Sequence, residues 1–184
     1  KPAVTDVCFS SPDIMPTLLG LMGLPIPRAV EGFDFSGYLL GRSARVPDAA
    51  YLQGMGTTAA WRDGSEWRAL RDSQYTYAVF RADGKELLFD HRADPLQLRN
   101  LAGERAHRRR LEYYRNKLRR WMKEHNDTFE TCTWYERHWT VDRNIVMTAS
   151  GVRQDLEMLR EILRRYFPQQ SRMAGYATAQ VHPS

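Results

Sequence analysis

The order of apolar and polar positions divides the chain into one alternating region between helical ones. From Trp67 to Ala102 (WRALRDSQYTYAVFRADGKELLFDHRADPLQLRNLA) the pattern predicts strand, turn, strand, turn, strand, then an Asp-Pro corner leading toward a helix. Tyr75, Tyr77 and Val79 alternate with Thr76, Ala78 and Phe80, the period of two expected where opposite faces of a strand meet different surroundings. Ala82-Asp83-Gly84 supplies a tight turn, because glycine takes positive φ at little steric cost. Ala49 to Gln53 is the candidate first strand, so the region reads as an antiparallel meander of about four strands. Such a sheet is too small to stand alone. It needs a covering helix.

The strongest helix pattern lies directly after it. Leu111, Tyr114, Leu118, Trp121 and Met122 recur at three- and four-residue steps between Gly103 and Asp127, with arginines mostly off that stripe. Together these predict an α+β fold in which the small sheet packs on a helix from roughly 104 to 126. A second amphipathic helix is expected at about 151–167. Near the start, Val4 to Phe9 alternates weakly and could be the last strand of an upstream sheet. Residues 12–22 then predict a short helix whose apolar side is Ile14, Leu18, Leu21 and Met22, stopped by Gly23 and Pro25. Leu19 and Leu24 make it apolar almost all round, so it should be covered by something. Thr128 to Thr140, rich in tryptophan and tyrosine, reads as a loop or extended segment.

Three motifs in this order resemble the type I sulfatases of the alkaline phosphatase superfamily. SPDIMPTLLGLMGLPIP (Ser11 to Pro27) is similar to their D-[IL]-x-P-T-[IL]-L helix, EGFDFSGYLLGR to G-x-[SD]-[LF]-x-x-x-L-x-G, and the meander to W-R-x-[VL]-R-x-x-x-Y-x-Y followed by E-L-[YF]-D-x-x-x-D-P-x-E-x-x-N-L. Gln97 and Phe89 depart from the family's common Glu and Tyr. The resemblance covers roughly residues 3 to 103. It implies the C-terminal subdomain of an alkaline-phosphatase-like α/β enzyme, divided as residues 1–48 (the end of a truncated N-terminal domain), 49–127 (the meander and helix) and 128–184 (a subfamily extension). It also implies sulfate-ester hydrolysis by the whole protein. A phosphonate monoester hydrolase or phosphodiesterase of the same superfamily is the first alternative, and a non-catalytic interaction or nucleic-acid-binding module the second.

The chemistry such an enzyme needs is a formylglycine made from Cys or Ser in C/S-x-P-S/A-R, a divalent cation (calcium first), and catalytic Lys and His. Cys8 is followed by Phe-Ser-Ser and Cys132 by Thr-Trp-Tyr, so neither sits in that motif. No catalytic residue, metal ligand or resident cofactor is therefore expected within these residues. The implied partners are an N-terminal catalytic portion, a sulfate-ester substrate and a second copy docked through the extension. The implied substrate contacts are Thr57, Thr58, Trp61 and Arg62, in the loop before the matched strand, where indole and guanidinium together suit a sulfated ring.

Composition adds little to this. A net charge of +5 favours anionic partners without specifying one. No run of 18 apolar residues predicts a membrane span. Asp90, His91 and Asp94 could hold a cation but suit Asx-turns better. His107, His125 and His138 lack zinc-ligand spacing. The arginines of the long helix, with Tyr113, Trp121, Trp134 and Trp139, invite a nucleic-acid reading, which the glutamates among them disfavour. The two cysteines read as free thiols or one disulfide. Compartment is not legible.

Overall fold

A computed structural model of the chain describes residues 4–28, 30–42, 45–55, 63–141, 144–145 and 161. Its centre is a four-stranded antiparallel meander: β1 (Ala50–Met55), β2 (Glu66–Arg71), β3 (Tyr75–Phe80) and β4 (Glu86–Asp90), in that spatial order. The register places Tyr51, Leu70, Tyr77 and Leu88 side by side across all four strands, hence on one face. Leu70 and Leu88 are fully buried there, each contributing about 1.5–3 kcal/mol by leaving water. The α+β expectation holds. Gly84 takes φ 66° in the β3–β4 turn, as its place in Ala82-Asp83-Gly84 requires.

The cover for that face is the predicted long helix. It forms at Arg108–Glu124, behind a 3-10 turn at Arg105–His107. Leu111, Tyr114 and Leu118 are buried against Leu70, Tyr75, Tyr77 and Leu88, with Trp121 and Met122 partly buried at the end of the stripe. Asp94-Pro95 does not lead straight into the helix: the chain first runs through turns, and Asp94 Oδ2 accepts from the Arg99 N–H at 2.8 Å. Lys117 departs from the amphipathic pattern. It is buried and reaches Asp48 with its Nζ at 2.8 Å.

The N-terminal region differs more from expectation. Val4 to Phe9 pairs with no strand among the described residues. A 3-10 turn (Ser11–Asp13) opens a helix at Ile14–Leu21. Ser10 is the N-cap of the 3-10 turn and Asp13 that of the helix, and Asp13 Oδ2 accepts from the Ser10 N–H and hydroxyl at 2.7 and 2.8 Å. Gly23 at φ 69° ends the helix. The side turned inward is Pro16 and Thr17, whereas Ile14, Leu18, Leu21 and Met22 are 42–62% exposed. The apolar face exists, and no described residue covers it. A short helix at Ser36–Leu39 occupies the expected turn around Phe35 to Leu40, and Phe35 itself is fully buried.

Within Thr128 to Thr140, where a loop or extended segment is expected, the structure forms a helix. It runs from Cys132 to Trp139, with the Thr131 hydroxyl accepting from the Trp134 N–H at 3.2 Å as N-cap. In chain order these four helices are α1 (Ile14–Leu21), α2 (Ser36–Leu39), α3 (Arg108–Glu124) and α4 (Cys132–Trp139). Two-residue strands β5 (Thr140–Val141) and β6 (Asn144–Ile145) form a separate hairpin. The helix expected at about 151–167 lies outside the described residues apart from the single helical position 161. Both cysteines are free thiols, Cys132 buried and Cys8 half-buried.

One glycine in β1 has no freedom to be anything else. Gly54 pairs with Trp67, and a Cβ at Gly54 would lie 2.1 Å from the indole. Gly54→Ala should therefore cost about 1–3 kcal/mol of stability through overpacking, read as a lowered urea midpoint at unchanged slope.

Candidate substrate-facing region

Thr57, Thr58, Trp61 and Arg62, expected to touch substrate, lie outside the described residues. The structure does show what their loop is fastened to. Leaving the loop, Asp63 accepts from Thr133 twice, from the backbone N–H at 2.9 Å and from the hydroxyl at 2.7 Å. Those bonds hold the exposed Asp63 carboxyl below its ordinary range, the backbone donor most of all. Glu66, at the start of β2, takes the Cys132 N–H at 2.8 Å on one oxygen and the Gly64 N–H at 2.8 Å on the other. Burial pushes the Glu66 carboxyl up, and the two donors more than offset this, so it is lowered. Two carboxylates from the loop-to-strand corner thus meet the first backbone N–H groups of α4. Acidic groups suit that positive helix end.

The next residue on the same sheet face is Arg68, 1% exposed, and it meets Asp127. Its Nε donates to Asp127 Oδ2 and its Nη2 to Oδ1 at 3.0 Å, a two-pronged pair. Tyr51 and Gln53 of β1 also donate to Oδ2, the latter at 2.7 Å, while Tyr135 of α4 and the Phe129 N–H donate to Oδ1 at 3.0 and 2.7 Å. The Phe129 ring lies over the guanidinium, 4.6 Å from carbon to centroid. Burial raises the Asp127 carboxyl, but Arg68, Tyr51 and the other donors outweigh it and bring it down to about 2. The same contacts push Arg68 and Tyr51 up, against and with their own desolvation respectively. Asn126 and Phe129, both at positive φ, turn the chain off α3 and across the sheet, so α3 and α4 share one face. Sequence spacing gave no sign of this network, since 59 residues separate its two charges.

A cleft of about 550 Å³ opens beside β1, bounded by Cys8, Asp13, Phe33, Tyr51, Trp67, Trp121 and His125. Its polar groups are occupied by structure: Asp13 Oδ1 accepts from the Phe33 N–H at 2.7 Å, and the His125 ring stacks on Trp121 at 5.5 Å and 5°. Burial, with Asp72 adding to it, pushes the Cys8 thiol up, and a protonated thiol is a poor nucleophile. The cleft holds no activated nucleophile among the described residues.

Metal chemistry does not fit the described residues either. They bring together no group of three or more His, Cys, Asp or Glu able to hold an ion. Asp90 makes the Asx-turn, with Oδ1 accepting from the N–H groups of Arg92 and Ala93 at 3.1 and 3.2 Å. His138 is stacked on Trp134 at 4.2 Å. No described helix is long and apolar enough to cross a membrane.

Comparison with known proteins gives this arrangement its context. No family model matches. An ulvan-active sulfatase of Formosa agariphila is 30% identical over 135 residues, 73% of this chain and 26% of that protein. An endo-4-O-sulfatase of Bacteroides thetaiotaomicron is 35% identical over 118 residues, 55% of this chain and 23% of that one. Among solved structures, a 2-O GAG sulfatase aligns over 72% of this chain and 27% of its own, with TM-score 0.55 at 21% identity. A phosphonate monoester hydrolase from Silicibacter pomeroyi aligns over 64% and 25%, with TM-score 0.51 at 26% identity. The chain spans about a quarter of the length of the relatives it matches. Motifs, meander and relatives agree: the chain is a homologue of sulfatases and shares their fold, and its partial span accords with a C-terminal portion of such a protein.

Proposed function

We propose that the protein to which this chain belongs hydrolyses sulfate esters, and that these residues form its non-catalytic C-terminal part. The observation that carries the reading is the 30–35% identity to sulfatases over 118–135 residues. On this reading residues 1–48 finish the α/β catalytic domain, 49–127 form the C-terminal subdomain, and 128–184 are a subfamily extension. The exposed face of Ile14, Leu18, Leu21 and Met22 supports the first of these divisions, since an apolar helix face of that size normally lies against protein. The formylglycine and the divalent cation, calcium first, belong to the catalytic portion, where they supply the nucleophile and the positive charge opposite the sulfate.

The role left to this chain is substrate selection. Thr57, Thr58, Trp61 and Arg62 are the contacts we assign to it, Trp61 under a sugar or aryl ring and Arg62 on an anionic group. Rigid fastening of Asp63 and Glu66 to α4 supports that role, because a loop that selects substrate must be held at its base. A homo-oligomer through residues 128–184 belongs to the same reading. The phosphonate monoester hydrolase match favours one alternative, phosphonate-ester cleavage by the same architecture.

Turnover separates these readings. The longer protein should hydrolyse 4-nitrophenyl sulfate faster than phenyl 4-nitrophenyl phosphonate, and the 184-residue chain alone should hydrolyse neither. Preference for the phosphonate would install the alternative, and turnover by the isolated chain would refute the non-catalytic assignment.

A further inference from the structure

The outer face of α3 carries more positive charge than its fold needs. Arg105, Arg108 and Arg109 lie at the start of the helix, all exposed, and their guanidiniums make no ion pair with any described residue. Arg119, Arg120 and Lys123 continue the same side toward the C-terminus, at the three- and four-residue steps that keep residues on one face. A helix of this length runs about 25 Å. The first turn of α3 contains no acidic residue and no side-chain cap, so the arginines sit at the end where the helix dipole disfavours cations. Glutamates on this side are engaged: Glu112 with Arg115, Glu124 with Arg120 at 3.8 Å, and Glu104 with Arg99. Folding alone would favour acidic residues there, and a polyanion outside would favour the arginines.

We propose that this face holds a sulfated polysaccharide by its anionic groups. The choice of polysaccharide rests on the sulfate-ester reading above and on what the aromatic residues are doing. Single-stranded nucleic acid needs aromatic faces open to bases. Here Tyr114 is buried against the sheet, Trp121 is covered by His125, and Trp134 by His138. Of the aromatics on α3 only Tyr113 stands exposed, and Lys117 Nζ lies 5.8 Å from its ring centroid. A surface with charge and almost no stacking platform suits a polymer recognised by its anions. Such a site would hold the polymer while other residues act on it.

The test uses the full 184-residue chain with heparin as the sulfated probe and desulfated heparin as control. The combined variant Arg105→Gln, Arg108→Gln, Arg109→Gln should weaken heparin binding by about tenfold or more and lower the slope of log K against log salt by about three, one released counterion per lost contact. The charge-matched variant Arg28→Gln, Arg42→Gln, Arg137→Gln should leave both nearly unchanged. Circular dichroism should show the same helix content in each, since none of the six side chains is buried. Equal losses in both variants, equal binding of desulfated heparin, or no binding at all would overturn the proposal. So would displacement of heparin by an oligonucleotide of equal charge, which would make the face a nucleic-acid surface. The assay reads binding without turnover, so it can fail while the sulfatase reading stands, or succeed while that reading falls.

Discussion

Asp127→Ala should destabilise the fold by about 3–5 kcal/mol, the cost of leaving a buried guanidinium without its carboxylate. Arg68 is 1% exposed and has no other acidic partner among the described residues, so it cannot turn to solvent for compensation. Tyr51, Gln53, Tyr135 and the Phe129 N–H lose the same acceptor at once. The loss should be felt locally as well: Asp127 is where the chain crosses from α3 to α4, so hydrogen exchange over 128–139 should quicken beyond what the global change explains. Equilibrium urea unfolding measures the first effect. Replacing both charges, with Arg68→Met and Asp127→Leu, should cost less than Asp127→Ala alone, because no unpaired charge is left buried. If the double variant is the worse of the two, the pair stabilises the fold beyond its own desolvation.

The same carboxylate sets an acid limit. Its folded pKa of about 2 lies below the unfolded value of about 3.9, so the unfolded chain binds more protons in between. The stability it confers is fully present above about pH 4 and is lost as pH falls toward 2. The Asp127→Ala protein should show a shallower decline over that window than the parent.

What the sequence disclosed and what it withheld divide along physical lines. Period-two alternation in Tyr75–Phe80 and the stripe Leu111, Tyr114, Leu118 are local patterns, and both became the core. The helix expected at residues 12–22 was legible for the same reason. That Pro16 and Thr17 turn inward was not, because burial is a property of whatever surrounds an element, and a helix face looks the same in sequence whether covered or bare. The α4 helix was missed because Trp, Tyr and Thr favour strands by propensity. Two carboxylates from the β2 corner, 66 and 70 residues away, supply the N-terminal partners that override it. Nothing in the sequence marks Lys117 as buried, and only the fold brings Asp48 within 2.8 Å of it. The Arg68–Asp127 pair is of this kind too. Charges distant in sequence carry no mark of their partner.

Tyr114 separates packing from hydrogen bonding in the seam between α3 and the sheet. It is 1% exposed, with its ring 5.7 Å from that of Tyr75 and 6.2 Å from that of Tyr77. Its hydroxyl donates to Asp72 at the β2–β3 turn, whose other oxygen accepts from the Gln74 and Tyr75 N–H groups at 2.9 and 2.7 Å. Tyr114→Phe keeps the ring and removes one of three donors to Asp72. About 1–2 kcal/mol should be lost, because the carboxylate stays bonded. Tyr114→Ala removes the ring as well and leaves a cavity in the cluster that Tyr114 shares with Tyr75, Tyr77 and Leu111. That variant should lose about 3–5 kcal/mol, enough to threaten a sheet of only four strands. Urea midpoints for the pair give the partition directly. Nearly equal losses would mean that the bond to Asp72, not the ring, holds the helix to the meander. A large gap between them would show that the seam is built on aromatic packing, with the hydroxyl fixing only the turn.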